Sequence, residues 1–162
     1  TVLGVGGGGL MTIGQMSEII VLACMPFLAV KFSKKTLLCT GLVAYGLRMA
    51  IFAYFPTLVP VVIGVALHGI CFGCFIFVAF MVVDEFCSTD VRATAQNFFN
   101  LVIVGVGIIV GSLFATALVG EWAMVDGEMD YSALFLVPMW LSLACFLMLL
   151  VFYPNLKELQ SK

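Results

Sequence analysis

Five uninterrupted apolar runs, at about 10–30, 36–55, 58–83, 93–119 and 132–153, dominate the chain. Each reaches the ~20 residues that a helix rising 1.5 Å per residue needs to cross a ~30 Å hydrocarbon core. No water is available in that core to take up backbone N–H and C=O groups, so segments of this length must close their hydrogen bonds internally as helices. The sequence therefore predicts an all-α, polytopic transmembrane helix bundle. Composition agrees: 64% of residues are hydrophobic and 10% charged, with a mean hydropathy of +1.23, against ~45–50% and ~25% in soluble domains.

The same figures exclude several functions. Seven basic residues and a formal charge of −2 leave no patch able to neutralise a phosphate backbone, so no nucleic-acid partner is expected. The six cysteines are scattered, mostly within apolar runs, which argues against a disulfide framework. Cys71-x-x-Cys74 lacks a second ligand pair, so no metal site is expected. There is no His-Glu-x-x-His helix, no pair of intramembrane aspartates and no Gly-x-Ser-x-Gly elbow, and an enzyme is not expected.

The links between runs are short. Lys31, Lys34, Lys35, Arg92, Lys157 and Lys162 all fall on one side, while the other side carries Glu121, Asp126, Glu128 and Asp130 in a loop read as simply solvated. The positive-inside rule makes the basic side cytoplasmic. The start of the chain is then external and its end, 154–162, is a cytoplasmic tail. Residues 1–9 read as the end of a preceding span or a flexible external linker, because Gly6 to Gly9 favour flexibility.

Against this apolar background the polar side chains inside the runs carry information. Glu18 lies in the cluster Gly14-Gln15-Met16-Ser17-Glu18. A carboxylate at mid-bilayer costs ~2.5–3.5 kcal/mol or more, so it is expected to face a bundle interior or a wet cavity. Counting residues from the external ends places Glu18 ~12 Å, Arg48 ~11 Å and His68 ~15 Å deep, so the three can line one cavity. Gln15 shares a face with Glu18. Tyr45, Arg48 and Phe52 form one stripe of the second span, and His68, Phe72, Phe75 and Ala79 one of the third. Such stripes suit a solute with a flat ring, since aromatics supply contact area and polar groups fix orientation. A structural Glu18–Arg48 ion pair is the alternative. Arginine keeps its charge whereas a carboxylate exchanges protons, so Glu18 is the better proton carrier, with the His68 imidazole a second candidate.

Gly69-x-x-x-Gly73 and Gly107-x-x-x-Gly111 match the spacing that lets helices approach closely. Gln96 and Asn100 share a face with the second pair. Pro26 and Pro138 lie inside spans, where a kink is tolerated.

The motifs Gly14-Gln15-Met16-Ser17-Glu18, Pro26-Phe27 before the basic loop, Leu47-Arg48, Leu67-His68-Gly69, Asp84 and Arg92-Ala93-Thr94-Ala95-Gln96 resemble, in order and spacing, the nucleoside:proton symporter family of the major facilitator superfamily. The resemblance covers about 10–153 and implies spans eight to twelve of a twelve-span carrier, with two six-span bundles rocking about a central site. The missing N-terminal six-span bundle would be the partner of this one. It further implies Gln15, Glu18, Arg48, Phe72 and Phe75 as solute contacts, Glu18 and His68 as proton-coupling groups, and Arg92 as structural. No cofactor is implied beyond a proton gradient as driving force. The implied setting is the bacterial inner membrane.

One departure stands out. The family pattern carries an aromatic–Asp pair shortly after His-Gly, where this chain reads Phe72-Gly73. Coupling then rests more heavily on Glu18, and a carrier for another small solute such as a sugar, or a truncated non-transporting membrane protein, stays open.

Overall fold

The computed structural model describes residues 7–153. Five long helices account for most of them: α1 (Gly7–Lys31), α2 (Lys34–Tyr54), α3 (Leu58–Phe86), α4 (Arg92–Gly120) and α5 (Tyr131–Phe152). All five are long and apolar enough to cross a membrane. Their ends lie within a few residues of those expected, with two differences. The glycine run is helical from Gly7 rather than a flexible link to residue 9, which follows from the need to bond every backbone group at the membrane's edge. The acidic loop exposes Glu121, Asp126, Glu128 and Asp130 as expected, but it is not irregular throughout and holds a β-hairpin of Met124–Val125 (β1) and Glu128–Met129 (β2). Asp126 and Gly127 turn it with φ of 52° and 84°, the positive-φ pair of a two-residue hairpin. The 154–162 tail and residues 1–6 lie outside the described residues.

Helix ends are tied by specific polar contacts. Ser33 caps α2 by accepting from Thr36 N at 3.1 Å, and Asp130 caps α5 by accepting from Ser132 N and Ala133 N at 2.9 and 3.2 Å, satisfying donors that a helix start leaves orphaned. At the basic face Lys35 Nζ donates to the carbonyls of Leu150 and Tyr153 at 3.0 and 3.1 Å, closing the last turn of α5 where cations are favoured. Lys34 pairs with Glu85. Arg92 Nε lies 3.1 Å from Asp84 Oδ1, and Gln96 Nε2 donates to the same oxygen at 3.0 Å. Arg92 thus ties the start of α4 to the end of α3 across their short link.

The core lies towards this basic face, where Met25, Leu37, Leu38, Cys74 and Val78 are buried between α1, α2 and α3. Close approach there depends on glycine. A Cβ at Gly69 would overlap the backbone of Ser17 and Glu18, and one at Gly41 would lie 2.7 Å from Phe75 Cβ. The α1–α3 crossing is further pinned where Gly69 N donates to Ser17 Oγ at 3.1 Å and Ser17 Oγ donates to Gly14 O at 2.7 Å. Gly73 also faces α1, with Val21 Cγ1 2.6 Å from the position of an added Cβ. The second glycine pair behaves otherwise. A Cβ at Gly107 would meet only Val102 O of its own helix, and one at Gly111 would meet nothing within 4 Å, so the close approach expected at Gly107 and Gly111 is not made by the described residues.

Three substitutions should separate in thermal stability of the detergent-solubilised protein. Gly69→Ala meets backbone that cannot yield and is expected to cost about 1–3 kcal/mol. Gly73→Ala meets a single movable valine and should cost less. Gly111→Ala should fall within about 0.5 kcal/mol of the parent. Equal melting shifts for Gly69→Ala and Gly111→Ala would contradict this account of the crossing.

Candidate functional site

Depth alone aligns Glu18, Arg48 and His68, and the α1–α3 crossing brings them into contact. Because Gly69 sits against the Ser17–Glu18 backbone, the preceding His68 is held beside Glu18, with His68 Nε2 3.6 Å from Glu18 Oε2. On its other edge His68 Nδ1 lies 3.0 Å from Arg48 Nη1. The result is a row of three ionisable groups from three helices. Among the described residues Glu18 and Arg48 form no ion pair with one another, so the direct pairing considered as the alternative is replaced by a bridge through the imidazole.

The bridge defines a tautomer. A guanidinium has no acceptor, so Arg48 donates and Nδ1 of His68 must offer a lone pair. The neutral ring then carries its hydrogen on Nε2, directed at the Glu18 carboxylate. Arg48 itself is only partly satisfied: its Nε is buried without a hydrogen-bond partner among the described residues, an arrangement that costs about 1–3 kcal/mol when left unfilled. Its guanidinium carbon stands 5.4 Å from the centre of the Phe52 ring, a cation–π contact. Phe52 is in turn held edge-on to Phe135 of α5 at 5.3 Å.

Arg48 and His68 form the polar edge of a cavity of about 400 Å³ between α2, α3 and α5, within the ~300–1,000 Å³ range of small-molecule sites. Tyr45, Phe72 and Phe75 supply its aromatic wall, as the stripes of α2 and α3 lead one to expect. The His68 and Phe72 rings are 6.4 Å apart. From Phe72 to Phe77 the helix widens to π-helical form, a feature often found at functional sites.

Two expected contacts lie elsewhere. Glu18 is not in the cavity wall and reaches it only through His68. Gln15 is exposed and also outside the wall. Gly73 points at α1, so the position occupied by an acid in the family pattern is here a packing position.

The α5 wall, formed by Pro138, Leu141, Ser142 and Cys145, and the α3 residue Cys71 line the cavity without any residue pattern that marks them as lining. Ser142 is the one such residue with a local signal, a hydroxyl in an apolar run. It is buried and donates to Leu42 O at 2.8 Å, locking α5 against α2, while Gly46 leaves room for its oxygen. Among the described residues no cluster of His, Cys, Asp and Glu could hold a metal ion.

A bundle of membrane-spanning helices around a mid-span cavity with charged and aromatic walls is the architecture of a secondary carrier of the major facilitator type. The family model for nucleoside H+ symporters matches residues 4–157, and the chain belongs to that family. It is 29% identical over 132 residues to xanthosine permease of Escherichia coli, covering 79% of this chain and 31% of the relative. With nucleoside permease NupG of the same organism it shares 29% identity over 133 residues, again 79% and 31% of the two chains. The crystal structure of nucleoside transporter NupG superposes with a TM-score of 0.82 at 27% identity, over 90% of this chain and 37% of that one. The chain thus spans about a third of the length of these curated relatives.

His68 is the one histidine in these 162 residues, and a His68→Gln variant assigns its imidazole signals. With the ring nitrogens labelled, ¹⁵N spectra at neutral pH are expected to report the Nε2–H tautomer, and Arg48→Ala should shift the Nδ1 resonance by removing its hydrogen-bond donor. A dominant Nδ1–H form in the parent protein would refute the bridge.

Proposed function

We propose that this chain forms one wall of the solute site of a proton-coupled nucleoside symporter, working with a six-span N-terminal bundle by alternating access. The observation that carries the reading is the Glu18–His68–Arg48 row at the edge of an aromatic cavity. Names of the relatives, xanthosine permease and nucleoside permease NupG, support nucleosides over sugars, as does a wall with more ring surface than hydrogen-bonding groups. The family's description supports protons as the coupling ion. The chain acts as a transporter and not as an enzyme, in the bacterial inner membrane, with the basic face cytoplasmic.

The row suggests how a proton and a solute are linked. In the neutral state the Nδ1 lone pair of His68 holds Arg48 to the cavity edge. A proton reaching the imidazole, by way of Glu18 or directly, occupies that lone pair. Both ring nitrogens then carry hydrogen, so the bond to Arg48 is lost and two cations face one another at close range. Arg48 swings away from His68, while the imidazolium is held by the Glu18 carboxylate. When the solute leaves on the other side, Arg48 returns to Nδ1 and expels the proton. The exposure of Gln15 on α1 supports a role for it at the solute site shared with the N-terminal bundle.

The decisive variant is Glu18→Gln in the complete carrier. It removes the counter-charge for the imidazolium but keeps the shape, so uphill, proton-driven accumulation of a labelled nucleoside should be lost while solute-for-solute exchange across the membrane persists. Undiminished accumulation would sink the proton role of Glu18. Loss of both activities would mean that Glu18 serves solute binding instead.

A further inference from the structure

On α2 the residues that face the cavity are Gly41, Leu42, Tyr45 and Arg48, a stripe at helical spacing with Tyr45 near its centre. The Tyr45 hydroxyl forms no hydrogen bond with a described residue, yet it is not among the fully buried polar atoms left without a partner. It therefore keeps accessible surface, on a half-buried side chain whose neighbours along the stripe all belong to the cavity wall. The ionisable groups that act on it, Arg48 and Cys71, are residues of that wall as well. The rest of the wall offers no comparable oxygen. Arg48 can only donate. His68 commits Nδ1 to Arg48 and turns Nε2 towards Glu18. Ser142 is buried, with its hydrogen given to Leu42 O, and the thiols of Cys71 and Cys145 are weak hydrogen-bonding groups.

From this we propose that Tyr45 is a specificity-determining residue of the site, and that its hydroxyl binds a sugar hydroxyl of the nucleoside while the base lies against the rings of Phe72 and Phe75. A sugar hydroxyl both donates and accepts, as a phenol does, so the two pair in either sense. The N–H and carbonyl groups of a base each fix one sense, and they differ from base to base. The flat rings on α3 accept any base face, since stacking does not depend on which groups the base edge carries. The inference rests on the nucleoside reading above and adds to it which part of the solute this wall recognises, and by which atom. Tyr45→Phe keeps the ring and removes only that oxygen.

Competition for uptake by cells expressing the complete carrier tests the idea. The labelled solute is inosine or uridine, whichever the carrier takes up, and the unlabelled competitors are the same nucleoside and its 2′-deoxy, 3′-deoxy and 5′-deoxy forms. At least one deoxy form is expected to compete about fourfold or more weakly than the unmodified nucleoside, in keeping with the loss of one hydrogen bond. In Tyr45→Phe that gap should close to within about twofold, because the unmodified nucleoside weakens and the deoxy form does not. Equal competition by all four compounds in the parent carrier would overturn the proposal and leave nucleoside transport intact, and this comparison needs no variant to fold. A gap that survives in Tyr45→Phe would also overturn it, by placing sugar recognition on another residue. Uptake of neither nucleoside would reject the underlying reading together with this one.

Discussion

A guanidinium in the middle of a hydrocarbon layer has to be solvated by protein, and much of the bundle's geometry follows from how Arg48 is solvated. Its charge cannot be discharged by losing a proton, so α2 cannot turn that face to lipid. The face points instead at α3 and α5: His68 of α3 accepts one hydrogen bond, and Phe52, one turn further along α2 itself, brings its ring against the guanidinium. Phe52 needs support of its own and finds it in Phe135. From one charge, then, comes an ordered set of contacts that joins three helices and leaves a cavity beside them.

The second determinant is the absence of a side chain. Were Gly69 any larger, α1 and α3 would separate by the width of a methyl group, and Glu18 would retreat from an imidazole it already approaches at slightly more than hydrogen-bond distance. The packing of α1 on α3 and the proton relay proposed for Glu18 and His68 thus share a single crossing. This explains why a small-residue motif, usually read only as a packing signal, lies one position after the titratable His68.

The sequence discloses some of this and conceals the rest for physical reasons. Hydropathy makes the spans legible because the bilayer imposes a length. The meeting of Glu18, Arg48 and His68 is legible because charges at matching depth have nowhere else to go. The α5 wall is not, since Pro138, Leu141 and Cys145 look like any other lipid-facing residues until α5 is docked on α2. The hairpin is a different matter: Asp126-Gly127 is a strong local turn signal, set within a segment whose most conspicuous feature is its acidic charge. Gly73 was legible as a departure from the family pattern, but that it faces Val21 rather than the cavity depends on how α3 is rotated, which local spacing does not settle.

The fastening of α5 to α2 has a mechanical consequence. Ser142 bonds to Leu42 near the middle of the bundle, and Lys35 grips the final carbonyls of α5 at one end. Two fixings far apart along a pair of helices resist both twisting and splaying. The α2–α5 pair therefore behaves as a strut, while α4 is secured to its neighbours chiefly at its first turns. A load applied at the cavity would be carried along the strut to the basic face, and compliance would concentrate in α4 and in the widened turn of α3.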